Sequence, residues 1–288
     1  MRRVLWAALA APIIACGRAG DGERNGSQQD TVLVFVAASL TNALRPQLDS
    51  FSSQTGAVIL TESGGSVEHA RKITELHRVP DLAVFADADV FPQMLAPRYV
   101  KWWATFARNR MVVAYTDRSA AHDSITSRNW ISILTRPGIE VGRSDPTVAP
   151  VGYRTIRLFA RAESVYQKPG LSSRLLINAP PRNMRANAAD LAALLAAGEL
   201  DYIYDYESVA RANAFRFVQL PAEVSGPPVT YALSIPLQAP HAAAATRLLE
   251  FLMTPDVRTK LRATHIDMLD VPIVSGTGAP AFLTAAAR

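Results

Sequence analysis

A chain of 288 residues that is 49% hydrophobic is long enough to bury a substantial core and is expected to fold as two lobes, which argues against disorder. Its formal charge of +5 is dispersed, with no run of consecutive Lys or Arg longer than two residues, so nucleic acid is not an expected partner. A single cysteine and five scattered histidines argue against a disulfide framework and against a structural metal site.

The chain opens with MRRVLWAALAAPIIAC (1–16), a basic head, an apolar stretch and a small residue before the cysteine. Such a segment is an export signal, too short to span a membrane stably. Ile13-Ile14-Ala15-Cys16 resembles the bacterial lipobox, and that resemblance implies that Cys16 is lipidated as the first residue of the mature protein. The plainer alternative is a cysteine that ends an ordinary signal peptide. GRAGDGERNGSQQD (17–30) is polar and glycine-rich, as a flexible tether is. The protein is therefore expected to be exported, in the periplasm or at the cell surface, as a membrane-anchored lipoprotein.

Past the tether, strand-like and helix-like runs alternate, the pattern of α/β lobes with mostly parallel sheets flanked by helices. TVLVFVA (31–37) reads as a buried strand and 42–55 as a helix, and the order repeats with a strand from 57 to 60 and a helix over 66–77. Each pair is joined by a turn of small residues, Ala37-Ala38-Ser39-Leu40 and Ser63-Gly64-Gly65-Ser66. Backbone N–H groups and a serine hydroxyl at such a turn can hold an oxyanion without any cationic side chain. VPDLAVFA (79–86) reads as a third strand with Asp81 at its start, MVVAY (111–115) as a fourth, and the polar break at 116–124 as the crossing into a second lobe. That lobe reads as a short helix (129–134), a strand (139–143), an amphipathic helix (152–166), another helix (188–197) and a strand (200–204). YALSI (231–235) reads as a strand returning to the first lobe, with a helix at 241–253 packed on it and ended by Pro255. The first lobe is thus expected to hold 31–114 with 222–288 and the second 115–221, joined by two hinge crossings in the layout of a clamp.

Taken in order, Ala38-Ser39-Leu40, Gly64-Gly65-Ser66-Val67-Glu68, Asn129-Trp130, the GRSDP run at 142–146, PVGYR at 150–154 and GELDY at 198–202 running into YESVA at 206–210 carry a resemblance. Over most of 32–272 the chain resembles the periplasmic molybdate/tungstate-binding proteins of ABC importers, most closely their tungstate-type subgroup. The resemblance implies a type II periplasmic-binding-protein fold, a molybdate or tungstate ligand and no other cofactor, an ABC permease as partner, a monomeric state and no enzymatic activity. It also implies that Ser39 and Ser66 supply donors from the first lobe, while the turn with Ala149 and Val151 and the Asp205-Tyr206 segment close over the ligand from the second.

The tungstate-type proteins commonly carry an aspartate before Gly-Tyr-Arg and a glutamate in the later strand, so that two carboxylates complete an octahedral shell around the metal. Here those positions are Ala149 and Asp205. VAPVG (148–152) is more similar to the turn of the bacterial molybdate binders, which hold a tetrahedral oxyanion by hydrogen bonds alone. No residue is therefore expected to ligate the metal directly, Asp205 being the one candidate to do so. The alternative ligands are phosphate, with Asp205 accepting its proton, and sulfate.

Read from the residues alone, each position has a plainer use. Ser39 and Ser66 serve as well for helix N-caps, and Tyr206 for a core aromatic with its hydroxyl satisfied. Arg143 and Asp145 suit a shaped turn or a mutual pair. Asp205 beside a dianion is repulsive unless it is protonated, metal-bound or turned away. Ser66 and His69 stand at i and i+3, a spacing produced more often by chance than by a nucleophile and its base. No G-x-S-x-G elbow, P-loop or H-E-x-x-H accompanies them, which leaves an enzyme acting on an anionic substrate as the reading from a different class.

Overall fold

The β-branched run TVLVFVA forms β1 (Thr31–Ala37), which feeds α1 (Thr41–Thr55) through a 3-10 turn at Ala38–Leu40. The computed structural model describes residues 30–285; the export signal, the tether before Asp30 and the lipidation expected at Cys16 lie outside them. β2 (Val58–Gly64), α2 (Ser66–Thr74), β3 (Leu82–Phe85) and β4 (Trp102–Asn109) complete the first passage. The second lobe holds β5 (Met111–Tyr115), α3 (Trp130–Leu134), β6 (Val141–Ser144), α4 (Pro150–Val165) and α5 (Leu171–Asn178). It continues with β7 (Met184–Arg185), α6 (Ala188–Ala197), β8 (Tyr202–Tyr206), α7 (Glu207–Ala212) and β9 (Arg216–Gln219). The chain then returns through α8 (Ala222–Ser225) to β10 (Val229–Ser234), α9 (Ala242–Leu252), α10 (Pro255–Ala263) and β11 (Asp267–Gly276).

A six-stranded sheet runs in the order β11-β4-β10-β3-β1-β2, and a five-stranded sheet in the order β7-β6-β8-β5-β9. The two-lobed α/β architecture is the one expected, but both sheets are mixed rather than mostly parallel. β1 pairs in parallel with β2 and β3, whereas β10 lies antiparallel to β3 and β4, and β11 to β4. The reason is the route: β10 enters the first sheet from the second lobe, not over a crossover helix, so nothing forces it parallel.

MVVAY is corrected by the pairing. All five residues of β5 are buried, and its neighbours are β8 and β9, so this strand belongs to the second sheet and not to the first lobe. The chain changes sheet at Arg110, the residue between β4 and β5, and the polar stretch after Tyr115 is a set of turns within the second lobe. An apolar run covered on both faces looks the same in either sheet, and polar composition marks a loop without saying what it connects. The return crossing runs between β9 and β10.

The register of the first sheet positions the site. Ala37 is opposite Gly64, and Val36 is opposite Val84, so the carboxyl ends of β1, β2 and β3 lie abreast. After β1 the chain goes to β2 on one side and to β3 on the other, a topological switch point of the kind where open α/β sheets bind ligands. Beneath it, Val32, Val34 and Val36 join Leu44 and Leu48 of α1 and Leu248 of α9 in one core. Phe35 points the other way, stacked on His69 with ring centroids 4.8 Å apart. Among the described residues no helix is long and apolar enough to cross a membrane.

Candidate functional site

The two small-residue turns meet as the register requires. Ser39 sits in the 3-10 turn after β1, and Ser66 is the first residue of α2, fully buried. Neither serine is a helix cap, because α1 and α2 are capped at Leu40 and Gly65. Ser66 Oγ instead accepts the backbone N–H of Ala86 at 2.9 Å, just past the end of β3. Ser39 Oγ accepts from the Tyr231 hydroxyl of β10 at 3.4 Å.

The second lobe closes against these turns with its own helix starts. Ala149 and Val151 flank Pro150 at the beginning of α4, and both are buried. Asn187 caps α6, its side chain accepting the N–H of Asp190. Tyr206 ends β8; its hydroxyl is buried and has no hydrogen-bond partner among the described residues. Ser39, Ser66, Ala149, Val151 and Tyr206 line one cavity with Asn187, and it closes to about 10 Å³.

Three hydrogen bonds and one close backbone approach join the lobes beside this cavity. The Glu68 N–H of α2 donates to Val148 O at 3.1 Å. Gly65 lies so close to the same carbonyl that a Cβ there would stand 2.2 Å from Val148 O. Arg154 donates through Nη2 to Asp87 Oδ2 at 2.8 Å, and the Tyr153 hydroxyl donates to the same oxygen.

The cavity is lined by small residues and carries no charge. Apart from the Tyr206 phenol, which burial pushes well above its ordinary range so that it keeps its proton, no described residue lining it has an ionisable side chain. What faces inward is the start of α2, α4 and α6 and the turn before α1. The first N–H groups of a helix have no intrahelical acceptor and carry the positive end of its dipole. Such a set of donors suits an anion and offers little to a cation.

Asp205 is not brought into this lining. It precedes Tyr206 on β8, where successive side chains point to opposite faces, and it is fully buried. Its Oδ1 accepts the Tyr206 N–H at 2.7 Å, and its Oδ2 has no partner among the described residues. Burial pushes its carboxyl up to about 8. Among the described residues no group of three or more His, Cys, Asp or Glu side chains is placed to hold a metal ion. Arg143 and Asp145 do not pair: Arg143 Nε donates to Ala179 O, while Asp145 shapes its turn by accepting from Thr147. His69 lies between Phe35 and Phe85 with Nε2 at 3.3 Å from Val36 O, and burial lowers its pKa to about 4. It is a core histidine, and no hydrogen bond joins it to Ser66, whose Oγ accepts from Ala86 N.

Asn187, Asp87, Asn109 and Tyr231 were not singled out by their sequence. Asn187 had a signal, a capping residue directly before the apolar run of α6 with Asp190 in its first turn. The others become visible only when the lobes are in place.

Comparison with known proteins agrees with this architecture. Residues 32–266 match the bacterial extracellular solute-binding protein family. An uncharacterized solute-binding protein of Petrotoga mobilis is 36% identical over 257 residues, 79% of this chain and 80% of that one. A molybdate/tungstate-binding protein of Pyrococcus abyssi is 25% identical over 323 residues, covering 94% of each chain. Among solved structures, the periplasmic molybdate-binding protein of Azotobacter vinelandii superposes with a TM-score of 0.63 at 18% identity, covering 82% of this chain and 98% of that one. The sulfate-binding protein of Mycobacterium tuberculosis superposes with a TM-score of 0.65 at 15% identity, covering 84% and 88%. Two lobes built on mixed sheets, a switch-point cavity between them and a family match over most of its length make this chain a member of the bacterial extracellular solute-binding proteins.

Proposed function

We propose that this protein captures a fully ionised tetrahedral oxyanion, molybdate or tungstate, outside the cytoplasm and presents it to the permease of an ABC importer. The observation that carries the reading is the hydrogen-bond polarity of an uncharged cavity. Ser66 Oγ already accepts from Ala86 N, so its O–H is left to donate inward, beside the helix starts and the free Tyr206 hydroxyl. A fully ionised oxyanion needs donors only, whereas a protonated one also needs an acceptor. The choice of molybdate or tungstate draws on the name of the Pyrococcus abyssi relative. Sulfate is the second reading, favoured by the small volume to which the cavity closes, about 10 Å³. In this reading Ser39, Ser66, Ala149, Val151 and Tyr206 hold the ligand, Asp205 stays out of the metal's coordination, and a lipid on Cys16 keeps a monomer near its permease. The protein binds and releases without turnover.

Calorimetric titration of Ser39→Ala and Ser66→Ala with molybdate tests the assignment. Each change removes a donor on the cavity lining worth about 1.5–3 kcal/mol to a charged ligand, so affinity falls about tenfold or more. Unchanged affinity in both variants would overturn it.

A further inference from the structure

We propose that Asn109 and Tyr231 determine which protonation state of an anion the site accepts, by forcing the Ser39 hydroxyl to act as a donor; this rests on the oxyanion reading above. Asn109 ends β4 at the first crossing between the lobes. The orientation of its amide is settled by its surroundings. Oδ1 accepts the backbone N–H of Arg110 at 2.9 Å and of Ser208 at 3.3 Å, two groups that can only donate. Nδ2 therefore faces the two hydroxyls, donating to Ser208 Oγ and to the Tyr231 hydroxyl, each at 2.6 Å.

An amide nitrogen has no lone pair to offer, so both hydroxyl oxygens must accept from it. Tyr231 is fully buried, and burial raises the pKa of its phenol, so the proton stays. Ser208 Oγ lies 3.4 Å from the Tyr231 oxygen, within reach for its hydroxyl to donate to that oxygen. The Tyr231 proton is then directed to Ser39 Oγ, 3.4 Å away, which leaves the Ser39 proton to serve a ligand in the switch-point cavity, one of two cavities that Ser39 lines. The chain of hydroxyls has one consistent direction, outward from a donor-only group at the crossing to the ligand. Ser66 receives the same polarity from the Ala86 N–H. A protonated anion such as hydrogen phosphate would thus meet O–H groups that each have one lone pair already taken and a proton aimed at the ligand, so pairing its own proton means turning a serine proton away, which is costly.

Asn109→Asp reverses the relay while keeping its shape. An aspartate still accepts from the Arg110 and Ser208 N–H groups, but it replaces the donor by a second acceptor. Tyr231 then donates to position 109, Ser39 donates to Tyr231, and the Ser39 lone pair faces the ligand. Tyr231→Phe cuts the relay without adding charge, and decides the matter by the same ratio if the aspartate variant does not fold. The probes are molybdate and hydrogen phosphate, titrated by calorimetry at a pH where both are dianions, so that added negative charge repels them alike. The wild-type preference for molybdate over phosphate is expected to fall about tenfold or more in Asn109→Asp, and by a smaller factor in Tyr231→Phe. A wild type that prefers molybdate, with both variants keeping the same ratio, would overturn the relay and leave the oxyanion reading standing. A wild type that binds neither anion would overturn that reading itself.

Discussion

Arg154 of α4 and Asp87 beyond β3 form an ion pair from opposite lobes, 2.8 Å between Nη2 and Oδ2, with side chains only 12% and 2% exposed. The Tyr153 hydroxyl donates to the same oxygen, so the Gly-Tyr-Arg stretch meets the first lobe through two adjacent side chains. Charges taken out of water are stable only while their partners are present. Because the partners come from opposite lobes, opening the lobes would part them, and the pair is placed to latch closure.

Asp87→Ala is therefore expected to favour the open form. Removing one partner of a buried pair costs about 3–5 kcal/mol in the closed state, where Arg154 is left uncompensated, and opening returns that arginine to water. Molybdate affinity should drop at least about tenfold. Small-angle scattering at saturating molybdate should show a larger radius of gyration than that of the wild-type complex. Equal affinity and equal radius would mean that the pair does not govern closure.

Gly65→Ala should obstruct the same motion from another side. The backbone at Gly65, with φ −74° and ψ 138°, is open to any residue, so alanine brings no strain of its own. Its methyl group, however, would stand 2.2 Å from Val148 O, a contact that exists only between closed lobes. Thermal melting without ligand should stay within about 0.5 kcal/mol of the wild type, as for a surface change. Ligand dissociation followed by stopped flow should accelerate more than association slows. An unaltered dissociation rate would show that the lobes hold the ligand without this close approach.

Asp205 gives a pH dependence with a definite sign. Its carboxyl is pushed up to about 8 by burial, so the folded state keeps a proton that the unfolded chain releases in the ordinary carboxylate range. The stability it contributes is complete below that range and is lost as pH rises toward about 8. Asp205→Asn should remove this loss, and its urea-unfolding free energies should pull ahead of the wild type as pH rises through the window. His69, lowered to about 4 by burial, acts in the opposite sense, losing stability as pH falls through its window, and is common to both proteins. Parallel stability curves would place the Asp205 pKa outside this window. The same variant should keep or improve molybdate binding, because the side chain does not line the cavity.

Coordination of the bound metal gives an independent check. With Ala149 where a carboxylate would stand and Asp205 outside the lining, bound molybdate should remain four-coordinate. An X-ray absorption spectrum of the complex should show short metal–oxo distances alone. A longer oxygen shell would mean that a carboxylate reaches the metal.

Much of the first lobe was legible because its signals are local. Two strand-to-helix turns with small residues and serines could be read directly, and the pairing of Ala37 with Gly64 sets them side by side. The role of each serine was less legible. Capping and ligand binding ask for the same residue in the same place, and only the Ala86 N–H, twenty positions from Ser66, distinguishes them. The place of MVVAY in the second sheet is not legible in its sequence, because full burial carries no information about which sheet provides it. The Asp87–Arg154 pair and the Asn109–Tyr231–Ser39 relay join distant segments, 67 positions apart in the case of the pair, and no spacing rule reaches that far.

The most direct test is calorimetric titration of the intact, unmodified protein with molybdate, tungstate, sulfate and hydrogen phosphate under one buffer. A cavity lined by helix starts and hydroxyls, with no carboxylate to accept a ligand's proton, predicts saturable binding of a fully ionised oxyanion at one site per chain, molybdate or tungstate tightest, with hydrogen phosphate weaker by orders of magnitude. Hydrogen phosphate binding as tightly as molybdate, or no heat from any of the four, would contradict it.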